Sequence, residues 1–125
     1  MGTPIRLLLV DDEVQVRKGL AMRFSAEPDL EVVGEAPDGC EAVELTHTLH
    51  PDIVVMDLRM RRMDGLAATR RLHSTAPGVR VVVLSLQDDA ATRGAAADAG
   101  AHAFVGKQEG SEQLLATIRR VAAAS

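Results

Sequence analysis

The sequence predicts an α/β fold in which a parallel sheet of five strands is covered by helices on both faces. Three observations favour it. Five short apolar runs alternate strictly with five segments of helical periodicity, the pattern of strands joined by crossover helices. The best-defined runs are continuous, as in parallel strands that are buried on both faces. Finally, acids stand directly after the first and third runs: Asp11, Asp12 and Asp57.

The first two strand and helix pairs have clear boundaries. Residues 5–10 are an apolar run with Arg6 as its one charged member, and a helical pattern over 13–26 then stops before Pro28. A shorter β-like run covers 30–36. The second helix follows Asp38 and has one apolar face, formed by Ala42, Leu45, Thr46 and Leu49.

The second half of the chain repeats the alternation. Residues 53–56 form a β-branched strand, and a loop then leads to a helix at 66–74. A strand at 81–84 precedes a helix at 89–99 whose apolar positions are mostly alanine; because alanine buries little area, we expect this helix to dock weakly and to move readily. A strand at 101–105 precedes a last helix with the stripe Leu114, Leu115, Ile118, Val121 and Ala122.

The composition favours one domain over residues 1–125, since 46% of the residues are hydrophobic. The formal net charge of -4 gives no electrostatic reason to bind nucleic acid or an anionic membrane. A single cysteine, Cys40, excludes an internal disulfide, and neither a secretory segment nor a long apolar span is present. We therefore expect a cytoplasmic protein without a membrane partner.

Polar side chains follow four of the predicted strands. Because the carboxyl ends of parallel strands share one edge of the sheet, we expect Asp11, Asp12, Asp57, Ser85 and Lys107 to converge there. Either of the first two acids, taken alone, would be better explained as a helix N-cap. The conjunction of all five favours a functional site.

This set of residues suits phosphoryl transfer to a carboxylate. Three converging acids need a cation, and carboxylate oxygens select a hard one such as Mg²⁺. Asp57 would form a covalent aspartyl-phosphate, while Lys107 offsets phosphoryl charge and Ser85 donates a hydrogen bond. No general base is required.

The sequence resembles the receiver domain of bacterial two-component response regulators over essentially its whole length. The resemblance implies a flavodoxin-like (βα)5 three-layer sandwich with a five-stranded parallel sheet of order 2-1-3-4-5. The local sequence is similar to the NarL/FixJ (LuxR-type) subgroup, which carries a helix-turn-helix output domain. The motifs that carry the resemblance occur in the family's order: Asp11-Asp12, Asp57-Leu58-Arg59-Met60, Met63-Asp64-Gly65, Ser85, and Phe104-Val105-Gly106-Lys107.

The resemblance implies a role for each acid. Asp57 would accept a phosphoryl group from a histidine of a sensor histidine kinase. Asp12 would bind Mg²⁺ directly and Asp11 through water, with Asp57 and the backbone carbonyl of Arg59 as further ligands. The chain would then catalyse only its own phosphorylation and dephosphorylation, and in that sense it is not expected to be an enzyme.

Ser85 and Phe104 match the family's switch pair, which implies a two-state equilibrium that phosphorylation shifts. Two arrangements are open. The chain acts as a stand-alone receiver through protein contacts, or it is the amino-terminal part of a regulator whose separate carboxyl-terminal domain binds DNA. Phosphorylation could pair two receivers through the first and last helices, or through the face of the fourth helix, fifth strand and fifth helix.

Several positions depart from the family pattern. Arg61 replaces a usual proline and Arg62 follows it, so the loop after the acceptor is expected to be more mobile and more basic. Leu86 occupies a place that is often small, and its bulk could restrict access. Phe104 has no hydroxyl to hold an outward rotamer. Gln108 replaces a frequent proline, which leaves the geometry of the preceding peptide bond open.

Two other classes of protein use related chemistry. A haloacid dehalogenase phosphatase also has an aspartyl nucleophile, but in a DxD pattern after the first strand, whereas this strand ends in Asp11-Asp12-Glu13. A nucleotide- or flavin-binding module would need a glycine-rich turn or phosphate loop, and neither is present. The four histidines show no spacing of a shared metal site: His47, His50, His73 and His102.

Overall fold

A computed structural model describes residues 2–124; Met1 and Ser125, the ends of the predicted domain, lie outside the described residues. The elements alternate as predicted. In chain order they are β1 (Ile5–Val10), α1 (Val14–Ser25), β2 (Leu30–Ala36), α2 (Gly39–Leu49), β3 (Ile53–Met56), α3 (Gly65–Thr75), β4 (Arg80–Ser85), α4 (Ala90–Ala99), β5 (Ala103–Gly106), a 3₁₀ helix (Lys107–Glu109) and α5 (Ser111–Ala123).

The five strands form one parallel sheet in the order β2-β1-β3-β4-β5, which confirms the predicted α/β fold and the strand order. Alternate residues of each strand face opposite sides of the sheet. Leu7 and Leu9 join a core with Phe24 of α1 and the stripe of α5. Leu8 and Val10 join a second core beneath α2, α3 and α4. Helices therefore cover both faces and give three layers.

The strand register brings the carboxyl ends together. Val10 pairs with Met56, and Met56 pairs with Val83. On the other side of β4, Ser85 pairs with Gly106. Residues that come directly after these positions therefore meet at one edge of the sheet. None of the helices within residues 2–124 has both the length and the apolarity to cross a bilayer.

The fifth strand begins later than predicted, and a 3₁₀ helix extends from its end. The strand begins at Ala103 because Gly100, in the left-handed region at φ 105°, caps α4, and the amide of Ala101 donates to the carbonyl of Ala96 at 3.0 Å. The 3₁₀ helix was not predicted. The peptide bond before Gln108 is trans, since the described residues contain no cis peptide bond.

Candidate functional site

The three predicted acids meet at the carboxyl edge of the sheet. Asp11 and Asp57 are buried, with 3% and 7% of their surface exposed, whereas Asp12 is exposed. Oxygens of the three carboxylates lie within 4.8 Å of one another. Within the described part of the chain, no histidine joins such a group. The backbone holds the arrangement, because the amide of Asp57 donates to the carbonyl of Val10 at 3.0 Å.

Lys107 provides the cation of the cluster. It follows β5, and its Nζ lies 3.0 Å from Asp11 Oδ2 and 3.6 Å from Asp57 Oδ1. Burial lowers the pKa of Lys107, but the hydrogen bond to Asp11 and the charges of Asp57 and Asp11 outweigh burial and raise the pKa above its ordinary value. The ammonium is therefore charged at neutral pH.

The negative charge of Asp57 is only partly compensated. Burial, followed by the negative charges of Asp11 and Asp12, raises its pKa to about 6, although Lys107 opposes the shift. One ammonium thus does not compensate three carboxylates. A second positive charge near these oxygens would lower the pKa of Asp57 and stabilise its ionised form.

A cavity of about 540 Å³ opens above the cluster. Ser85 is 3% exposed, and its Oγ accepts a hydrogen bond from the amide of Gln87 at 3.2 Å. Because a hydroxyl that accepts one hydrogen bond can still donate another, Ser85 is able to contact a group in the cavity. The residues that line the cavity are Asp12, Glu13, Asp57, Arg59, Ser85, Leu86, Gln87 and Lys107.

The second predicted switch residue, Phe104, does not line this cavity. Its ring is partly buried against the core beneath α2, α3 and α4. The guanidinium of Arg93 lies 4.6 Å from the ring centroid, within the range of a cation–π contact. Arg93 also pairs with Glu109 at 3.3 Å. The partly buried ring is thus covered by a side chain from α4.

Three residues at the site were missed in the sequence. Glu13 lines the cavity, and its amide donates to Asp11 Oδ1 at 2.9 Å. Gln87 lines the cavity too and accepts from the side chain of Arg59 at 2.8 Å. Arg17 donates to the backbone carbonyl of Asp11. Glu13 and Gln87 lie close to predicted strand ends, a signal that the prediction did not use.

The departures from the family pattern lie around the same site. Leu86 lines the cavity with 71% of its surface exposed, so its bulk is at the mouth rather than in the floor. Gln108 donates to Asp88 on the loop before α4. Arg61 and Arg62 are both exposed, and Arg62 forms an ion pair with Asp38 at 3.3 Å. The two arginines therefore differ in ion pairing and not in exposure.

The donor set fits a hard divalent cation. Asp11, Asp12 and Asp57 offer carboxylate oxygens at close range, and Mg²⁺ is commonly held by one or two carboxylates with water completing its shell. The exposed carboxylate of Asp12 leaves one side of the cluster open to the cavity. Sulfur and imidazole ligands, which would favour zinc, are absent from the cluster.

Comparison with known families decides the classification. The sequence profile of the family described as "Response regulator receiver domain" matches residues 7–119. This chain belongs to that family. The predicted receiver domain is thereby confirmed.

The relatives of this receiver domain include regulators of the predicted type. It is 39% identical over 115 residues to the transcriptional regulatory protein LiaR of Bacillus subtilis, covering 92% of this chain and 54% of LiaR. It is 47% identical over 110 residues to protein-glutamate methylesterase/protein-glutamine glutaminase 4 of Myxococcus xanthus, covering 87% of this chain and 31% of that protein. The chain thus spans about half or less of these relatives.

Among solved structures, the receiver domain resembles the signal receiver domain of the putative response regulator NarL from Mycobacterium tuberculosis. The TM-score is 0.93 at 29% identity, with 99% of this chain and 100% of that chain covered. The likeness therefore extends over the whole sheet and its helices.

Proposed function

We propose that this receiver domain accepts a phosphoryl group on Asp57 from a phosphohistidine of a sensor histidine kinase. The observation that carries the proposal is the placement of a buried carboxylate beside Lys107 and two further acids, at the floor of an open cavity. A nucleophile in this position is reachable by a phosphodonor and is surrounded by the charges that the transfer needs.

The transfer makes one bond and breaks one. An Asp57 carboxylate oxygen attacks phosphorus, the bond between phosphorus and the imidazole nitrogen breaks, and that nitrogen keeps the electron pair and takes a proton from solvent. Lys107, 3.6 Å from Asp57 Oδ1, offsets charge on the phosphoryl oxygens. The hydroxyl of Ser85 donates to one of those oxygens. Catalysis here is positioning and charge compensation.

A bound Mg²⁺ would neutralise charge on the acids and on the phosphoryl oxygens together. Asp11, Asp12, Asp57 and the backbone carbonyl of Arg59 would hold it. The raised pKa of Asp57 supports this assignment, because burial and then the negative charges of Asp11 and Asp12 raise it, and Lys107 does not offset them.

Mass spectrometry of the protein incubated with Mg²⁺ and acetyl phosphate tests the proposal. We expect an acid-stable, base-labile phosphoryl adduct on the wild type and its loss in Asp57→Asn. Asp98→Asn, which removes an exposed carboxylate on α4, is the matched control and should retain the adduct. An adduct that persists in Asp57→Asn would refute the assignment.

We infer further that phosphorylation shifts a conformational equilibrium that involves Ser85 and Phe104 and so controls an output. Relatives named as transcriptional regulators favour transcription as that output, through a separate DNA-binding domain.

In this proposal the receiver works in the cytoplasm, catalyses only its own phosphorylation and dephosphorylation, and forms a homodimer when phosphorylated. Light scattering before and after incubation with the phosphodonor tests dimerisation, and an unchanged mass contradicts it.

A further inference from the structure

The loop between β3 and α3 contains an unusual backbone position. Arg62 lies in the left-handed region at φ 64°, where a side chain other than that of glycine or asparagine is uncommon. A strained residue persists only where its surroundings hold it. The loop also carries the backbone carbonyl of Arg59, which the proposed function assigns to the metal. The contacts that hold Arg62 therefore bear on the metal site.

The partner of Arg62 is Asp38, at the start of α2. The Asp38 side chain is 7% exposed, and its Oδ2 lies 3.3 Å from Nη1 of Arg62. Its other oxygen, Oδ1, accepts from the amide of Glu41 at 2.9 Å and so caps α2. The cap fixes the carboxylate, and the fixed carboxylate holds the arginine.

Backbone contacts tie the loop down on either side of the ion pair. The amide of Gly39 donates to the carbonyl of Met63 at 2.9 Å, and a Cβ on Gly39 would lie only 2.3 Å from that oxygen. At the far end the amide of Gly65 donates to the carbonyl of Leu58 at 2.9 Å. The ion pair is thus the side-chain component of a junction between this loop and α2.

We propose that the ion pair between Arg62 and Asp38 is a positioning device that holds the loop in its metal-binding geometry. Arg62 does not line the cavity above the acid cluster and would act on the metal through the carbonyl of Arg59. The inference rests on the proposed Mg²⁺ site.

Positioning and simple electrostatics predict opposite effects for the same substitution. Arg62 is a cation near a site for another cation, so through-space repulsion alone means that its removal should tighten Mg²⁺ binding. If the arginine positions a ligand, its removal should weaken Mg²⁺ binding. The sign of the change therefore separates the two explanations.

Isothermal titration calorimetry with MgCl₂ on the whole chain measures this sign. The key variant is Arg62→Asn, because asparagine tolerates the left-handed backbone, so that the substitution removes the charge and the ion pair without adding backbone strain. We expect the Kd for Mg²⁺ to rise about fivefold, on the scale of one partly exposed ion pair. Arg62→Lys keeps the charge and should recover part of the affinity.

Arg61→Asn is the matched control, since it removes an equal charge from the neighbouring exposed residue, which forms no ion pair among the described residues. Its Kd should be unchanged or lower. Asp38→Asn completes a double-mutant cycle, because asparagine caps a helix as well as aspartate does. In that background Arg62→Asn should no longer weaken Mg²⁺ binding, and its Kd should be unchanged or lower, as for the Arg61→Asn control.

Each outcome decides one question. An Arg62→Asn variant that binds Mg²⁺ as tightly as the wild type, or more tightly, overturns the positioning role and leaves the proposed phosphoacceptor function intact. Equal losses in the Arg61→Asn control overturn it as well. A wild type that binds no Mg²⁺ refutes the metal site of the proposed function itself. Urea unfolding in EDTA verifies that every variant is folded before titration.

Discussion

At the scale of one residue, Asp57 shows that the ionised site lowers the stability of the fold. Burial and two neighbouring carboxylates raise its pKa to about 6 from an ordinary value of 3.8. The folded state therefore binds a proton more tightly than the unfolded state does. Proton binding to Asp57 makes its full contribution to the free energy of unfolding below about pH 4. This contribution is lost as the pH rises to about 6 and beyond.

The first prediction concerns Asp57→Asn in EDTA. Asparagine carries no charge, so above pH 6 the variant should have the larger free energy of unfolding, by up to about 3 kcal/mol for a difference of about two pH units. This gain in the free energy of unfolding should shrink as the pH falls from 6 to 4. Urea unfolding monitored by circular dichroism across this pH range measures the gain, with Asp98→Asn as control. A gain that does not depend on pH contradicts the assigned cause.

At the scale of elements, α4 and α5 differ in how they attach to the sheet. The buried residues of α4 are Ala96 and Ala99, whereas α5 buries larger side chains at Leu114, Leu115, Thr117, Ile118 and Val121. Less apolar area means a smaller free energy of docking. Arg93 adds its contact with Phe104 and its ion pair with Glu109. These polar contacts are exposed and contribute little.

The second prediction is that the amides of α4 exchange with solvent faster than those of α5. Local opening of α4 exposes mainly alanine, so the free energy of this opening should lie well below the free energy of global unfolding. Hydrogen–deuterium exchange measured by mass spectrometry compares the two helices within one sample. Because the contacts of Arg93 contribute little, Arg93→Ala should speed exchange in α4 only slightly and leave α5 unchanged. Equal protection of both helices would show that alanine packing is not the determinant.

The same elements show what the sequence allowed us to predict. Short, mostly apolar runs identified the strands, and strand ends identified Asp11, Asp57, Ser85 and Lys107 as neighbours, because the parallel sheet aligns those ends. Contacts between distant side chains were not predictable. The pair of Asp38 with Arg62 depends on how two loops approach each other, which no local pattern encodes.

The local geometry after β5 was missed for a related reason. One tertiary and one local contact define that segment, since Gln108 bonds to Asp88 and the amide of Gly106 donates to Glu109 at 2.6 Å. These contacts support the 3₁₀ helix that begins at Lys107. Backbone propensity alone gives no reason to place a helix there.

At the scale of the whole molecule, the sheet separates two cores, and ion pairs connect the helices outside them. On one face, Arg119 of α5 reaches Asp29 at 2.9 Å and also pairs with Glu27, which bonds Arg23 of α1 at 2.8 Å. These hydrogen bonds hold the pKa of Glu27 and of Asp29 below the ordinary values. The acid cluster at the sheet edge has no equivalent compensation, because Lys107 is its one paired cation among the described residues.

The third prediction comes from this imbalance. Mg²⁺ that binds only the folded state should stabilise it by about 2.7 kcal/mol at a hundred times Kd, which is several degrees in melting temperature. EDTA should reverse the effect.

Asp12→Asn removes an exposed carboxylate of the cluster, so it should stabilise the metal-free protein by relieving repulsion and reduce the gain in stability from Mg²⁺. Calorimetric melting with and without Mg²⁺ measures both effects, with Asp98→Asn as control. Because the two effects have opposite signs, a general loss of folding cannot imitate them, and an Asp12→Asn variant that keeps the full gain from Mg²⁺ would exclude Asp12 as a ligand.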